Sequence, residues 1–490
     1  MSANLEMENA ARDGAQLESN SLEATTPDPL GLDATKLSRL QKLRIVCTGI
    51  VCTFNASLGT SMPSGAFDII SKHFAVSDPV QLTLLNSLNM VGLFFGPLLF
   101  GPLSEYIGRR PVIITSLLGY IVFMLACSGA STYPWLLVFR FLCGINAAAP
   151  VTVVSGLYAD ILDDPSQRGV AIAIYMALNT VGALIGPIIS GFVSPYSWKW
   201  PFWAAAILAA PGVPLVFMLP ETYAPVLYSK RIRQRVKSGG DVGGSELVQE
   251  HSFDVRKIFL RPFSLLISEP ILLLSALYLA LAYAMLYLLF QAYPIIFQGM
   301  SHLYGLSPGI ASLAYLPIIV GVIIALCGFC GFTCWYDLAA KAGKPWAKRE
   351  IYRRLPATCL ASPCMAISLF LMGWTSWKSV SPLVASLGGL LFGIGSQLIF
   401  ISMLNFITDV FCQQSASAHA GASCIRSLGA IVIPLAAGPM YDQLGVHWAP
   451  SLLGFLSILM GVIPFLFMRY GERLAYKSQS AHAVYNRPVP

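Results

Sequence analysis

The chain has 490 residues, 56% hydrophobic and only 11% charged, with a mean hydropathy of +0.66. A soluble protein carries about a quarter charged residues, so a soluble enzyme with an apolar core is excluded. The net charge of +7 does not point to nucleic acid, because the basic residues lie in short loops between apolar runs rather than on one face among aromatics.

Residues 1–40 open the chain with an acid-rich stretch (Glu6, Glu8, Asp13, Glu18, Glu23) and no apolar run. That composition fits neither a signal peptide nor a packed domain, and reads as a disordered cytosolic tail. Six runs long enough to cross a bilayer follow, at 43–62, 80–101, 111–130, 134–157, 169–193 and 200–219. A polar stretch, 221–266, interrupts them. Its Lys230, Arg231, Arg233, Arg235 and Lys237 have the spacing of a basic helix lying on a membrane surface. Six more runs occupy 269–291, 309–333, 357–373, 381–408, 415–437 and 449–468, and residues 471–490 form a second cytosolic tail. The expected fold is therefore all-α and integral to the membrane: twelve transmembrane helices in two six-helix bundles, 41–220 and 267–470.

Charge orients the chain. With both termini cytosolic, external loops hold only Lys72, Lys199 and Lys378, and two arginines, Arg140 and Arg426, lie inside spans. That leaves 26 of the 31 basic residues on the cytosolic side. Cys327, Cys330 and Cys334 lie in or beside an apolar helix without histidine, so the expectation is packing thiols and no metal. No nucleotide-binding loop is present, and no cofactor is expected.

The loop between spans two and three reads Gly101-Pro-Leu-Ser-Glu105-Tyr-Ile-Gly108-Arg109-Arg110-Pro111. It resembles the signature loop of the major facilitator superfamily, with Glu105 in place of the usual aspartate. The resemblance implies a conformational latch in which Arg109 pairs with Asp160, while Glu105 faces a helix N-terminus in the other half. A weaker echo, Gly331, Asp337 and Gly343-Lys344-Pro345, follows span eight and supports duplicated, pseudo-symmetric halves. Span five carries Gly182, Gly186, Pro187 and Gly191, which resembles the motif of the superfamily's antiporters. Small residues there let helices approach, and the proline bends the span. Segments such as Trp198-Lys-Trp-Pro-Phe202-Trp203 and Leu219-Pro-Glu-Thr-Tyr223 resemble the fungal twelve-span drug:proton antiporters.

No Asp or Glu lies deep in any span, whereas intramembrane ionisable groups are where transport chemistry is sought first. Candidates for cargo contact or coupling are Arg140, His419 and Arg426, the amides Asn55, Asn146, Asn179, Gln291, Gln397 and Asn405, and an aromatic face of span seven made by Tyr283, Tyr287 and Phe290. Arg140 reads equally well as a brace between two helices. Each amide reads as interhelical glue or as a cargo contact. Two buried cations without acids favour anionic or neutral cargo over polyamines. The six dispersed histidines give no catalytic cluster, so the chain is not expected to be an enzyme. The expected function is proton-coupled efflux of a drug, toxin or secondary metabolite, by a monomer in a fungal plasma or vacuolar membrane. Uptake of a small metabolite such as an organic acid, or polyamine export, is the alternative.

Overall fold

The computed structural model describes residues 37–476, apart from 77, 163, 224–225, 230–254, 299–302, 345–350 and 412–414. Residues 1–36 and 477–490 of the two expected tails, and the basic run Lys230–Lys237, lie outside the described residues. Among these residues the chain is helical and contains no strand. Twelve helices are long and apolar enough to cross a bilayer: spans 1 to 6 are Arg39–Gly65, Val80–Ile107, Arg109–Ser128, Tyr133–Tyr158, Ser166–Val193 and Trp200–Phe217. Spans 7 to 12 are Pro270–Phe297, Pro308–Lys341, Arg353–Thr375, Pro382–Val410, Ser417–Leu435 and Ala437–Tyr470. In hydrocarbon every backbone polar group must be satisfied within its own segment, which is why so apolar a chain resolves into long helices.

The boundaries shift in instructive places. Span 2 runs on to Ile107, six residues past the expected end, because Gly108, with φ of +103°, is what finally stops it. Span 12 begins twelve residues early, and Gly445 (φ 74°) reorients it within the helix. The end of the expected linker is itself helical, Val255–Ser268, and lays the Pro262 carbonyl and Leu266 against Gly421 of span 11.

The halves repeat each other. In the first, Gly92 and Gly144 bring the backbones of spans 2 and 4 together; in the second, Gly321 and Gly393 do the same for spans 8 and 10. Spans 7 and 10 are the most enclosed, with 78% and 83% of their most apolar stretch buried, against 39% for span 6. The centre of the molecule is therefore built on spans 1, 7 and 10, while spans such as 6 and 12 turn Trp203, Phe455, Leu459 and Phe465 outward. Outward-facing apolar side chains at such density are what a bilayer requires.

Candidate functional site

The residues expected to form a latch meet at one end of the bundle. Arg109 donates from Nε to Asp160 Oδ2 at 2.5 Å and from one terminal nitrogen to Oδ1 at 3.3 Å, so the pair is bidentate. Gly156, one turn before Asp160 on the same helix, leaves room for the guanidinium; any Cβ there would strike it. Tyr223 covers the other side, its ring centroid 5.2 Å from the guanidinium carbon. Burial holds the Tyr223 phenol above its ordinary pKa, and the nearby Glu105 charge pushes the same way.

The start of span 3 at this loop is met by the Glu221 carboxylate. Its Oε1 accepts from the backbone N–H of Arg109 at 2.9 Å, and its Oε2 from that of Arg110 at 3.2 Å. Span 3 starts with unpaired N–H groups and the positive end of its dipole, and Glu221 satisfies both. Gly108 carries no Cβ, and one placed there would collide with the Glu221 carboxylate. Glu105 stands at the exposed end of span 2 and Gly101 has open space around it. Arg110 instead donates to the Phe217 carbonyl at 2.9 Å.

A second charge pair mirrors the first. Arg354, at the start of span 9, donates to Asp409 at the end of span 10 at 2.9 Å, just as Arg109 at the start of span 3 meets Asp160 beyond span 4. Asp337, the acid of the sequence echo, accepts from Ser166 Oγ at 2.8 Å and pairs with Arg353 at 3.1 Å. Ser166 sits in the first turn of the helix Pro165–Val193, so Asp337 of the second half stands at a helix start in the first. The basic partners of the echo are thus Arg353 and Arg354 rather than Lys344. The paired Arg-Arg at the start of spans 3 and 9 was the signal in the sequence; the stretched spacing from Gly343 hid it.

At the opposite end the glycines of span 5 set the packing. A Cβ at Gly182 or Gly186 would run into the carbonyls of Phe54 and Leu58 on span 1, at 2.6 and 2.7 Å, and one at Gly191 into the Pro308 carbonyl of the second half, at 2.8 Å. Pro187 lies between them, its carbonyl against Gly65. The halves consequently touch at both ends.

Between those ends lies a pocket of about 20 Å³, enough for little more than a water molecule. Its polar lining is Ser57, Thr60, Asn179, Ser423, Arg426 and Ser427; Tyr283 and Tyr287 give an aromatic wall, and Ala56, Leu93, Pro97, Ala148 and Val151 an apolar one. Ser57 donates to the Asn179 amide oxygen across spans 1 and 5. Arg426 lies with its guanidinium carbon 4.8 Å from the centroid of Tyr283, whose hydroxyl donates to that of Tyr287 at 3.3 Å.

Of the twelve sequence candidates for cargo contact or coupling, four line this pocket: Asn179, Tyr283, Tyr287 and Arg426. The other eight are placed elsewhere. Arg140 is wholly buried and donates to three carbonyls, those of Gly59 (2.8 Å), Thr60 (2.7 Å) and Leu85 (3.0 Å). Asn55 and Asn405 turn back to carbonyls of their own helices, at Val51 and Ile401. Asn146 does the same toward Leu142 while its oxygen fills the space beside Gly119. Phe290 packs on Tyr287 and Tyr315. Gln291 and Gln397 are buried outside the pocket lining, and His419 Nε2 lies 2.8 Å from Thr408 Oγ1, between spans 11 and 10. Ser57, Thr60, Ser423 and Ser427 were missed, because small hydroxyls are common in membrane helices and carry no distinguishing pattern.

The Major Facilitator Superfamily profile matches residues 49–422. The efflux pump FUB11 of Gibberella moniliformis is 33% identical over 457 residues, covering 92% of this chain and 76% of that one. The ascochitine biosynthesis cluster MFS transporter of Didymella fabae is 36% identical over 407 residues, 82% of this chain and 78% of its own. Among solved structures, the proton:xylose symporter XylE superposes with a TM-score of 0.65 over 88% of this chain and 96% of that one, at 16% identity, a likeness of fold. With a family match across most of the length, twelve spans and this repeated latch geometry, the chain belongs to the Major Facilitator Superfamily.

Proposed function

We propose that this multi-pass transporter exports small organic molecules, of the drug, toxin or secondary-metabolite kind, by alternating access and in exchange for protons. The observation that carries the reading is the central pocket on the seam between two six-helix halves, with closing contacts at each end. The names of the fungal relatives, an efflux pump and a biosynthesis-cluster transporter, support the outward direction. In this reading the units are 41–220 and 267–470, the protein works as a monomer in the plasma membrane, and the latch end with both termini is cytosolic, as the 26 basic residues favour. The cycle opens and closes the Arg109–Asp160 and Arg354–Asp409 ends, the span 5 glycines serve as the hinge seam, and Glu105 tunes the latch from its rim. His419, hydrogen-bonded between spans 10 and 11, is the titratable group assigned to the proton.

Inverted membrane vesicles from expressing cells test this directly. Labelled drugs and aromatic acids should accumulate inside them when the lumen is acidified, and His419→Gln should remove the dependence on the gradient. Accumulation by intact cells with none in vesicles would sink the export direction.

A further inference from the structure

Two arginines lie inside the membrane-spanning bundle, and their surroundings differ in kind. Arg140 has its guanidinium on three backbone carbonyls, each within 3.0 Å. Arg426 is only 8% exposed, its Nε is buried without an acceptor, and among the described residues it makes no ion pair. Its described neighbour of complementary character is the face of Tyr283 at 4.8 Å, which compensates a buried cation only in part. No aspartate or glutamate lines the pocket. A desolvated guanidinium needs acceptors, which Arg140 finds in carbonyls and Arg426 does not, and its planar fork is best matched by a carboxylate on two parallel hydrogen bonds. Where the protein supplies no anion, the ligand is the remaining source.

We propose, on the basis of the export reading, that the cargo is a small amphipathic organic acid carried as its anion, with its carboxylate on Arg426. Ser423 and Ser427, one turn apart on span 11 and both lining the pocket with Arg426, add hydroxyls beside the charge. Tyr283 and Tyr287 take a flat apolar body along one wall, and Ala56, Leu93, Ala148 and Val151 close the other. Asn179 and Ser57, bonded to each other, exchange that bond for a polar group at the far end of the cargo. The pocket as it stands admits about one water, so the acid enters when the halves part, and Arg426 in the second half and Asn179 in the first then clamp it between them.

The test uses inverted vesicles carrying the full chain and three labelled acids, benzoate, cinnamate and naphthoate, each beside its uncharged primary amide and the corresponding benzylic-type amine. Wild type should accumulate at least one acid about tenfold or more over its amide, a difference of about 1.4 kcal/mol, and should exclude the amines. Arg426→Gln should lose that preference about tenfold or more, while Arg426→Lys keeps the sign of the preference with weaker transport. Should Arg426→Gln fail to reach the membrane, competition by acids against amides on the wild type decides alone. Amides or amines carried as well as the acids, or an Arg426→Gln protein that carries acids normally, would overturn the assignment while export stands. Accumulation of none of the compounds in vesicles holding correctly inserted protein would overturn the export reading and this assignment with it.

Discussion

Arg140 and Arg426 are both arginines buried within spans, and what separates them is their acceptors and the pocket that only Arg426 lines. Arg140 ties span 4 to the carbonyls of spans 1 and 2, with Asn89 in turn donating to the Arg140 carbonyl at 3.0 Å. Replacing it with methionine should therefore destabilise the protein by roughly 3 kcal/mol, from charge-assisted hydrogen bonds lost in a dry interior. A melting curve of the purified transporter would register this as a clear drop in midpoint, with cargo selectivity unchanged in what remains folded. An unshifted midpoint with altered selectivity would return Arg140 to the transport path. The sequence could flag both arginines from their burial cost alone. It could not rank them, because the rank depends on which carbonyls the neighbouring helices turn toward each guanidinium.

At the scale of elements, the Arg109 cluster is a helix start, a helix end and a turn brought together. The Arg109–Asp160 pair is largely shielded, at 11% and 20% side-chain exposure. A double-mutant cycle on Arg109→Gln and Asp160→Asn should give a coupling energy of about 1–2 kcal/mol, above the usual exposed pair. Glu221→Gln removes a charge from the N-terminus of span 3 and one of its two acceptor oxygens, leaving one backbone N–H facing an amide donor, so a loss of about 1–2 kcal/mol is expected. Equal effects of Glu105→Gln and Glu221→Gln on thermal stability would argue against this division of labour. The arginine–aspartate pair was legible because the signature loop and Asp160 both carry recognisable sequence. Glu221 was not, since it lies more than a hundred residues from the N–H groups it accepts, and only folding of the first half brings it there. On span 5, Gly186→Leu should abolish transport and lower folded yield, as the side chain would enter the backbone of span 1 at Leu58. Normal activity in that variant would mean that the seam opens without close contact there.

For the whole molecule, the two halves behave as a pair of repeated bodies joined at their ends. Ser166 of the first half and Asp337 of the second touch at 2.8 Å. Cysteines at these two positions, in a background cleared of native cysteines, should cross-link through a short bifunctional reagent and stop transport until the link is cleaved. Full cross-linking with undiminished transport would exclude separation of the halves at this end. The repeat itself was only half visible in the sequence. The acid of the echo, Asp337, was found, but its arginines were sought at Lys344, nine residues before Arg353. Loop length between helices costs little free energy, so spacing in a loop drifts while the pair it must deliver does not.

Hydropathy, run length and the distribution of basic residues by themselves determined twelve spans, their grouping as six and six, and the absence of a soluble core, because transfer of a long apolar segment into lipid depends on that segment alone. Signature residues in the loop between spans 2 and 3 and in span 5 pointed to the family to which the chain belongs. What only the tertiary structure decided is which polar side chains face one another: Asn179 toward Ser57, Asn55 back to its own helix, Arg140 onto carbonyls, Arg426 into an acid-free pocket. Each depends on the rotation of one helix about its axis relative to its neighbours. In a span that is apolar on nearly every side, no amphipathic stripe records that rotation, and packing between helices fixes it.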